Sequence, residues 1–212
     1  MLDAGYRGPV AVPSQQQYQV RFAWGRTGAA RIGADAHLLV WVDVLPGDVH
    51  AAGPRLRNAA LRTVTAHLPD GPEVVLGHLG NATAVAERVT RLQAALGDRC
   101  VVAIVAAGRD HAGASDVAED AGEGTDAPDA PDFAVEDLLA AGALVDALAV
   151  IGIDHTSPEA AAACAAYSGL RRAVKHLVSA SESGAAVGRD AVHGALAAGP
   201  ELVVLRESGR RA

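Results

Sequence analysis

Hydrophobic positions along the chain form short apolar runs separated by segments with helical spacing. The runs AHLLVWVDVL at 36–45 and CVVAIVAA at 100–107 are apolar at nearly every position, which predicts strands covered on both faces. EVVLGHL at 73–79 and the run at 201–205 predict two further strands. Residues 18–24 alternate between apolar and polar side chains instead, which predicts a strand with one buried face.

Segments with helical spacing lie between and after these strands. Asn81 is a predicted N-cap, and Ser157 followed by Pro158 is typical of a helix start. Strands that alternate with helices indicate an α/β fold, a mainly parallel sheet flanked by helices on both faces in an α/β/α sandwich. Residues 25–33 predict a turn and a short Ala-rich helix. The other predicted helices cover 54–68, 81–96, 134–148, 157–167, 170–179 and 190–198, with a polar turn at 181–184.

Length and local composition predict a single domain. A chain of 212 residues is long enough to bury a full core. Residues 1–17 predict a flexible N-terminal arm, and residues 18–209 a single α/β domain. Within that domain the Asp-, Glu-, Ala- and Gly-rich segment 116–132 predicts a mobile acidic loop.

Charge and hydropathy exclude several classes of partner. The net charge is −7 and Lys175 is the single lysine, whereas a nucleic-acid binder needs a basic face. The N-terminus carries no apolar signal segment, and no run reaches about 18 apolar residues, so we expect a cytoplasmic protein without a membrane partner. Cys100 and Cys164 lie in apolar surroundings and are expected to be small buried side chains.

Common catalytic motifs are missing from the sequence. It contains no GxSxG, P-loop or GxGxxG motif, which argues against nucleophile-elbow hydrolases, P-loop nucleotidases and standard dinucleotide oxidoreductases. The eight histidines show no zinc-binding spacing, although Asp154 and His155 are adjacent. Catalytic and binding residues are therefore expected where a strand ends and the chain leads into a helix, since ligands bind beyond the carboxyl ends of parallel strands.

Three of these junctions carry candidate residues. Asp43, near the end of an apolar strand, is either a Mg²⁺ ligand or catalytic acid, or a solvated strand end. Gly80 and Asn81 open a helix whose free N–H groups would attract a phosphate, unless they only cap it. Arg109 would clamp a phosphate or carboxylate, or simply face solvent.

An acidic pair begins the helix after the acidic loop. Glu136 and Asp137 in a first turn are favoured by the helix dipole alone. Carboxylate oxygens also suit a hard cation, so the pair predicts, together with Asp43, a site for one Mg²⁺ ion.

Six segments of the chain follow one another in an order that is typical of a known family. They are VRFAWG at 20–25, VWVDVL at 40–45, LGNATAV at 79–85, VAIVAAG at 102–108, AVEDLLAAGAL at 134–144 and SPEA at 157–160. In this order they resemble the 2-phosphosulfolactate phosphatase (ComB-type) family. The resemblance implies an α/β/α fold and a Mg²⁺-dependent phosphatase. Such an enzyme hydrolyses 2-phosphosulfolactate, or a related small phosphomonoester, to sulfolactate and phosphate on the route to coenzyme M.

The resemblance also implies site residues. Asp43 is similar to the family's strand-end Asp, Asn81 to the Asn of its LRNA-type turn, and the Glu136–Asp137 pair to its ED pair. In a phosphatase of this kind Asp43, Glu136 and Asp137 would hold Mg²⁺. Asn81 and Gly80 would bind the phosphate, and Arg109 would bind it and neutralise developing charge.

The chain departs from the family pattern in its loops. After Leu45 it continues Pro-Gly-Asp rather than with a Ser/Thr-rich or Arg-containing helix start, and two middle loops have no counterpart. Arg109 stands where Glu or Thr is usual. These departures support a second interpretation, a non-catalytic homologue that acts as a binding or assembly protein.

The sequence also allows a third functional interpretation and indicates which partners to expect. A sugar-phosphate or nucleotide binder based on Arg and Asn is a third interpretation, which rests on the α/β layout alone. The expected partner is a small phosphorylated substrate, without nucleic acid or membrane, and a homo-oligomer is left open.

Overall fold

The computed structural model describes residues 15–46, 63–109 and 131–209. In these ranges the chain forms a five-stranded sheet with the strand order β1-β4-β2-β3-β5. The first four strands pair in parallel, and β5 pairs antiparallel with β3. The predicted, mainly parallel α/β sheet is confirmed. The strands are β1 (Val20–Trp24), β2 (Leu38–Val42), β3 (Glu73–Gly77), β4 (Val102–Ala106) and β5 (Val203–Arg206).

Helices follow most of the strands, and several of them come in succession before β5. Residues 63–66 are helical as well, at the end of the helix predicted at 54–68. The labelled helices are α1 (Gly25–Gly33), α2 (Ala82–Leu96), α3 (Val135–Val150), α4 (Pro158–Leu170), α5 (Val174–Ala180), α6 (Glu182–Val187) and α7 (Arg189–Leu196).

Both faces of the sheet are covered by helices, as predicted. On one face α1 packs through Ala29 and Ile32 against Leu39 and Val105. On the other face the remaining helices build a larger core around Val40 and its neighbours. The cover on both faces follows from the apolar runs in β2 and β4, whose residues are all buried.

The helix α3 is the centre of the larger layer. Leu139, Leu144 and Leu148 are fully buried in it. Gly142 lets α4 approach closely, because a Cβ atom there would collide with the carbonyl oxygen of Ala163. The beginning of α3 lies at the ends of β2 and β4, because Asp137 in its first turn accepts hydrogen bonds from the Val44 and Gly108 N–H groups.

Two local predictions are wrong, for physical reasons. β1 is buried on both faces, because Arg21 is only 1% exposed and is enclosed by an ion pair with Asp35 rather than by solvent. The predicted polar turn at 181–184 starts α6 instead, since the Ser181 hydroxyl accepts a hydrogen bond from the Gly184 N–H at 3.0 Å. A polar cluster thus marked a helix cap and not a break.

Other predictions lie partly outside the described residues. Residues 1–14, most of the predicted helix at 54–68 and the part of the acidic loop from 116 to 130 fall there. Gln15, at the end of the predicted arm, exchanges two hydrogen bonds with the backbone of Phe22. None of the described helices is long and apolar enough to cross a membrane.

Candidate functional site

The carboxyl ends of the parallel strands bring several polar residues to one edge of the sheet. Val42 pairs with Gly77 in the β2–β3 register, so Asp43 and His78 leave the sheet at the same level. β4 ends beside β2, and its chain continues through Gly108 into Arg109. The strand-end positions singled out in the sequence therefore lie along a common edge.

Asp137 joins two of these strand ends. Its Oδ1 atom accepts a hydrogen bond from the Val44 N–H at 2.8 Å, and Oδ2 accepts one from the Gly108 N–H at 3.0 Å. The side chain is 2% exposed. Backbone N–H groups that leave a sheet need new acceptors when they are buried, and one carboxylate supplies both.

Like charges surround this carboxylate. Burial raises the pKa of Asp137 well above its usual value, and the neighbouring carboxyl groups of Asp43 and Glu136 raise it further, while the two N–H groups oppose the shift. Glu136 is also buried, and its Oε2 atom has no hydrogen-bond partner. Such a cluster favours a bound proton or a cation, because either would relieve the repulsion.

The carboxylates at this site fit Mg²⁺ as a pair of ligands and not as a larger set. Within the described ranges, no three or more His, Cys, Asp or Glu side chains assemble into a metal-holding group. Magnesium, however, is commonly held by one or two carboxylates, with water and substrate phosphate at its other positions. Asp43 and Asp137, which interact electrostatically, would supply such a pair.

Asn81 holds the loop that follows β3. Its Oδ1 atom accepts from the His78 N–H at 2.9 Å, and its Nδ2 atom donates to the carbonyl oxygens of Leu76 at 2.9 Å and Glu201 at 3.4 Å. The side chain is fully buried and occupies the N-cap position without making a capping hydrogen bond. Its amide therefore serves the backbone around it.

Gly80 lies in the same loop, beneath the chain that leaves α7. A Cβ atom at Gly80 would collide with the carbonyl oxygen of Ala198. The beginning of α2 is thus packed under this segment, which narrows the access of a ligand to its N–H groups.

Arg109 points towards acidic residues. Its guanidinium lies 2.5 Å from Glu182 Oε2 and 3.8 Å from Asp132 Oδ2, and its Nε atom donates to the Phe133 carbonyl oxygen at 3.4 Å. Its backbone pairs with Asp132. The guanidinium is therefore held by carboxylates of the protein itself, on α6 and in the chain before α3, rather than simply facing solvent.

A cavity of about 660 Å³ opens beside Asp43. The ends of β2 and β3, the helix α7 and the chain that enters β5 enclose it, and its charged or titratable lining residues are Asp43, His78, Asp190 and Glu201. Among the described residues that line it, none is Lys or Arg. An anionic ligand would therefore enter most readily together with a cation.

His78 has a fixed orientation at this cavity. Its Nδ1 atom accepts a hydrogen bond from the Gly80 N–H at 3.2 Å, so the neutral ring carries its proton on Nε2. Burial lowers the pKa of His78, and nearby Glu201 opposes that shift in part. The ring is thus held as a neutral donor near neutral pH.

The sequence did not predict three of the residues that line the cavity, His78, Asp190 and Glu201. His78 directly follows β3, so the strand-end rule that selected Asp43 applies equally to it. Asp190 and Glu201 have no such signal, because α7 and the antiparallel β5 bring them to the cavity from the far end of the chain. Asp43 and Glu136 each interact electrostatically with Asp137, whereas Arg109 is not among the cavity-lining residues.

No protein-family model matches this sequence, and no curated protein matches it.

Proposed function

We propose that this protein is a Mg²⁺-dependent phosphatase that hydrolyses 2-phosphosulfolactate, or a related small phosphomonoester, to sulfolactate and phosphate. The observation that carries the proposal is the interacting Asp43–Asp137 carboxyl pair beside a cavity of about 660 Å³. Its position beyond the carboxyl ends of parallel strands is where α/β enzymes bind their ligands. The resemblance to the ComB-type family supports the substrate class.

The two carboxylates would have different tasks. Asp43 lines the cavity and would contact both the cation and the phosphate-bearing ligand. Asp137 is immobilised by the Val44 and Gly108 N–H groups and would present a second oxygen ligand in a fixed place. When bound, Mg²⁺ would offset the carboxylate charges and polarise the phosphoryl oxygens.

Asn81 and Arg109 would act differently from a simple pair of phosphate ligands. Asn81 would be a positioning residue, because its amide fixes the backbone of the loop between β3 and α2. Arg109 would neutralise phosphoryl charge only after its guanidinium leaves Glu182.

Phosphate release from 2-phosphosulfolactate and from a panel of small phosphomonoesters tests the proposal. We expect release that requires Mg²⁺ and that falls at least about 100-fold in Asp43→Asn, because one metal ligand is lost. Asp98→Asn, an exposed carboxylate after α2, is the matched control and should keep wild-type activity. If no phosphate is released from any substrate of the panel, the proposal that the protein is a phosphatase is refuted.

A non-catalytic relative is the second candidate, and two contacts favour it. The Asn81 amide is occupied by backbone groups, and the Arg109 guanidinium is paired with Glu182 and Asp132. Such a protein would bind Mg²⁺ and a phosphorylated ligand without turnover. Calorimetric titration of the wild type with inorganic phosphate and Mg²⁺, beside the activity assay, separates the two candidates.

A further inference from the structure

The cavity beside Asp43 contains one side-chain donor among its described lining residues. Asp43, Asp190 and Glu201 accept hydrogen bonds when they are ionised, and the other side chains that line the cavity are apolar, apart from His78. A phosphoryl or sulfonate oxygen needs a hydrogen-bond donor as well as a cation. Among the described lining residues, the His78 imidazole is the side chain that can supply this donor.

The backbone around His78 fixes which nitrogen is available. The His78 N–H donates to Asn81 Oδ1 and the Gly80 N–H donates to Nδ1, so both the main chain and the ring are held by the loop. Because Nδ1 is an acceptor, Nε2 is the protonated nitrogen, on the opposite side of the ring. No described residue accepts a hydrogen bond from Nε2.

The position of the ring also suits a ligand held near Asp43. Gly77 is packed so closely that a Cβ atom would lie 2.5 Å from Val40 Cγ1 and 2.8 Å from Leu144 Cδ1. The end of β3 therefore has little freedom to shift, and His78 stays level with Asp43 in the neighbouring strand.

We propose that His78 is a substrate-binding residue that donates a hydrogen bond from Nε2 to a phosphoryl oxygen of the ligand in this cavity. The inference rests on the proposed phosphatase function for the identity of the ligand. It supplies a donor that neither Asn81, enclosed by backbone, nor Arg109, paired with Glu182, offers in this structure.

Two variants separate the ring's two nitrogens. In His78→Asn the amide oxygen takes the place of Nδ1 and the Nε2 donor is lost, whereas in His78→Gln the amide nitrogen reaches the position of Nε2. For 2-phosphosulfolactate we expect KM to rise about 10-fold or more in His78→Asn, since a hydrogen bond to a charged group is lost. His78→Gln should restore most of that loss, and both variants should unfold at wild-type urea concentrations.

Nuclear magnetic resonance of the imidazole nitrogens provides a readout that does not depend on turnover. We expect the Nε2–H tautomer in the free protein, and a shift of the His78 Nε2 resonance when inorganic phosphate and Mg²⁺ are added. A Nδ1–H tautomer, or a Nε2 resonance unmoved by saturating phosphate and Mg²⁺, would overturn the inference.

The failures of the two proposals are distinguishable. If the wild type releases phosphate and His78→Asn keeps the wild-type KM, the role of His78 is refuted and the phosphatase stands. If no substrate is hydrolysed, the phosphatase is refuted, and the phosphate titration alone decides on His78. In that case weaker phosphate binding by His78→Asn than by His78→Gln would support the donor role, and equal binding would refute it.

Discussion

The two edges of the sheet treat buried charge in opposite ways. At the edge where the strands begin, Arg21 pairs with Asp35, and Glu73 forms a two-pronged ion pair with Arg88. At the edge where the strands end, the buried carboxyl groups of Glu136 and Asp137 lie beside Asp43. Among the buried side chains that the structure describes, opposite charges meet at the first edge, and like charges meet at the second.

The difference separates stability from function. A buried charge that has its partner is satisfied within the fold, and removing either member leaves the other uncompensated. The repulsion between neighbouring carboxyl groups is instead relieved by something added, a proton or a cation. The first edge therefore holds the sheet together, while the second is suited to bind a ligand at some cost in stability.

The largest effect is expected at Arg21. Its guanidinium donates to Asp35 and to the carbonyl oxygens of Gln16, Tyr18 and Ile32. Arg21→Met leaves these acceptors without their donor, so the free energy of unfolding should fall by about 3–5 kcal/mol in urea titration. Asp35→Asn leaves the buried guanidinium without its counter-charge but keeps an accepting oxygen and the three carbonyl partners of Arg21, so it should cost less than Arg21→Met. A larger loss in Asp35→Asn than in Arg21→Met would contradict the central role of the guanidinium.

A smaller loss is expected at Glu73. Its carboxylate is 1% exposed and accepts two hydrogen bonds from Arg88. Glu73→Gln replaces one accepting oxygen by a donor, and we expect a loss of about 2–3 kcal/mol in the free energy of unfolding. The control is Glu87→Gln, which breaks an exposed pair with Arg91 at 3.9 Å and should cost less than about 0.5 kcal/mol. Similar losses of unfolding free energy in the two variants would mean that the buried Glu73–Arg88 pair stabilises the fold no more than the exposed Glu87–Arg91 pair.

The opposite sign is expected at the other edge, in Asp43→Asn. Asn keeps the shape and one accepting oxygen of the Asp43 side chain but removes the charge that repels Asp137, so the free energy of unfolding at neutral pH should rise. Mg²⁺ should raise the unfolding temperature of the wild type and not that of the variant. A variant less stable than the wild type at neutral pH would remove the contrast between the edges.

The pH dependence of this gain follows from the raised pKa of Asp137. The folded state holds a proton there that the unfolded state has already released, so this group's contribution to stability falls as pH rises from the unfolded value, about 3.9, through the raised folded value. Asp43→Asn narrows that window. Urea titrations should therefore give equal stabilities at acidic pH and a growing advantage of the variant as pH rises.

The sequence predicted the central strands and the acidic cluster for a simple reason. Continuous apolar runs require cover on both faces, which identified β2 and β4, and charged residues at strand ends or helix starts stand out in such surroundings. Asp43 and Asp137 were found in this way. Arg21 was misassigned, because an alternating pattern does not distinguish a solvent-facing polar residue from one enclosed by a partner such as Asp35.

The remaining parts of the site depend on tertiary contacts. Whether Asn81 binds a ligand or its own backbone is decided by the carbonyl groups of Leu76 and Glu201, and the second lies far away in the sequence. Asp190 reaches the cavity only because α7 lines it together with the ends of β2 and β3. Neither periodicity nor spacing carries that information, since both describe neighbours along the chain.

The smallest effect concerns the reactivity of Cys100, a probe of the first edge. Burial raises the pKa of this thiol to about 12, and nearby Glu73 contributes to the rise. At pH 8 a thiol reagent should label the partly exposed Cys164 and leave Cys100 unreacted in the native protein. With Cys164→Ser as the background, Glu73→Gln should speed the labelling of Cys100, because the weakened edge opens more often. Asp43→Asn, which acts on the opposite edge, should leave the labelling rate of Cys100 unchanged. If this variant instead labels more slowly because it is more stable, the thiol is reached only by global unfolding. The two edges would then not open independently.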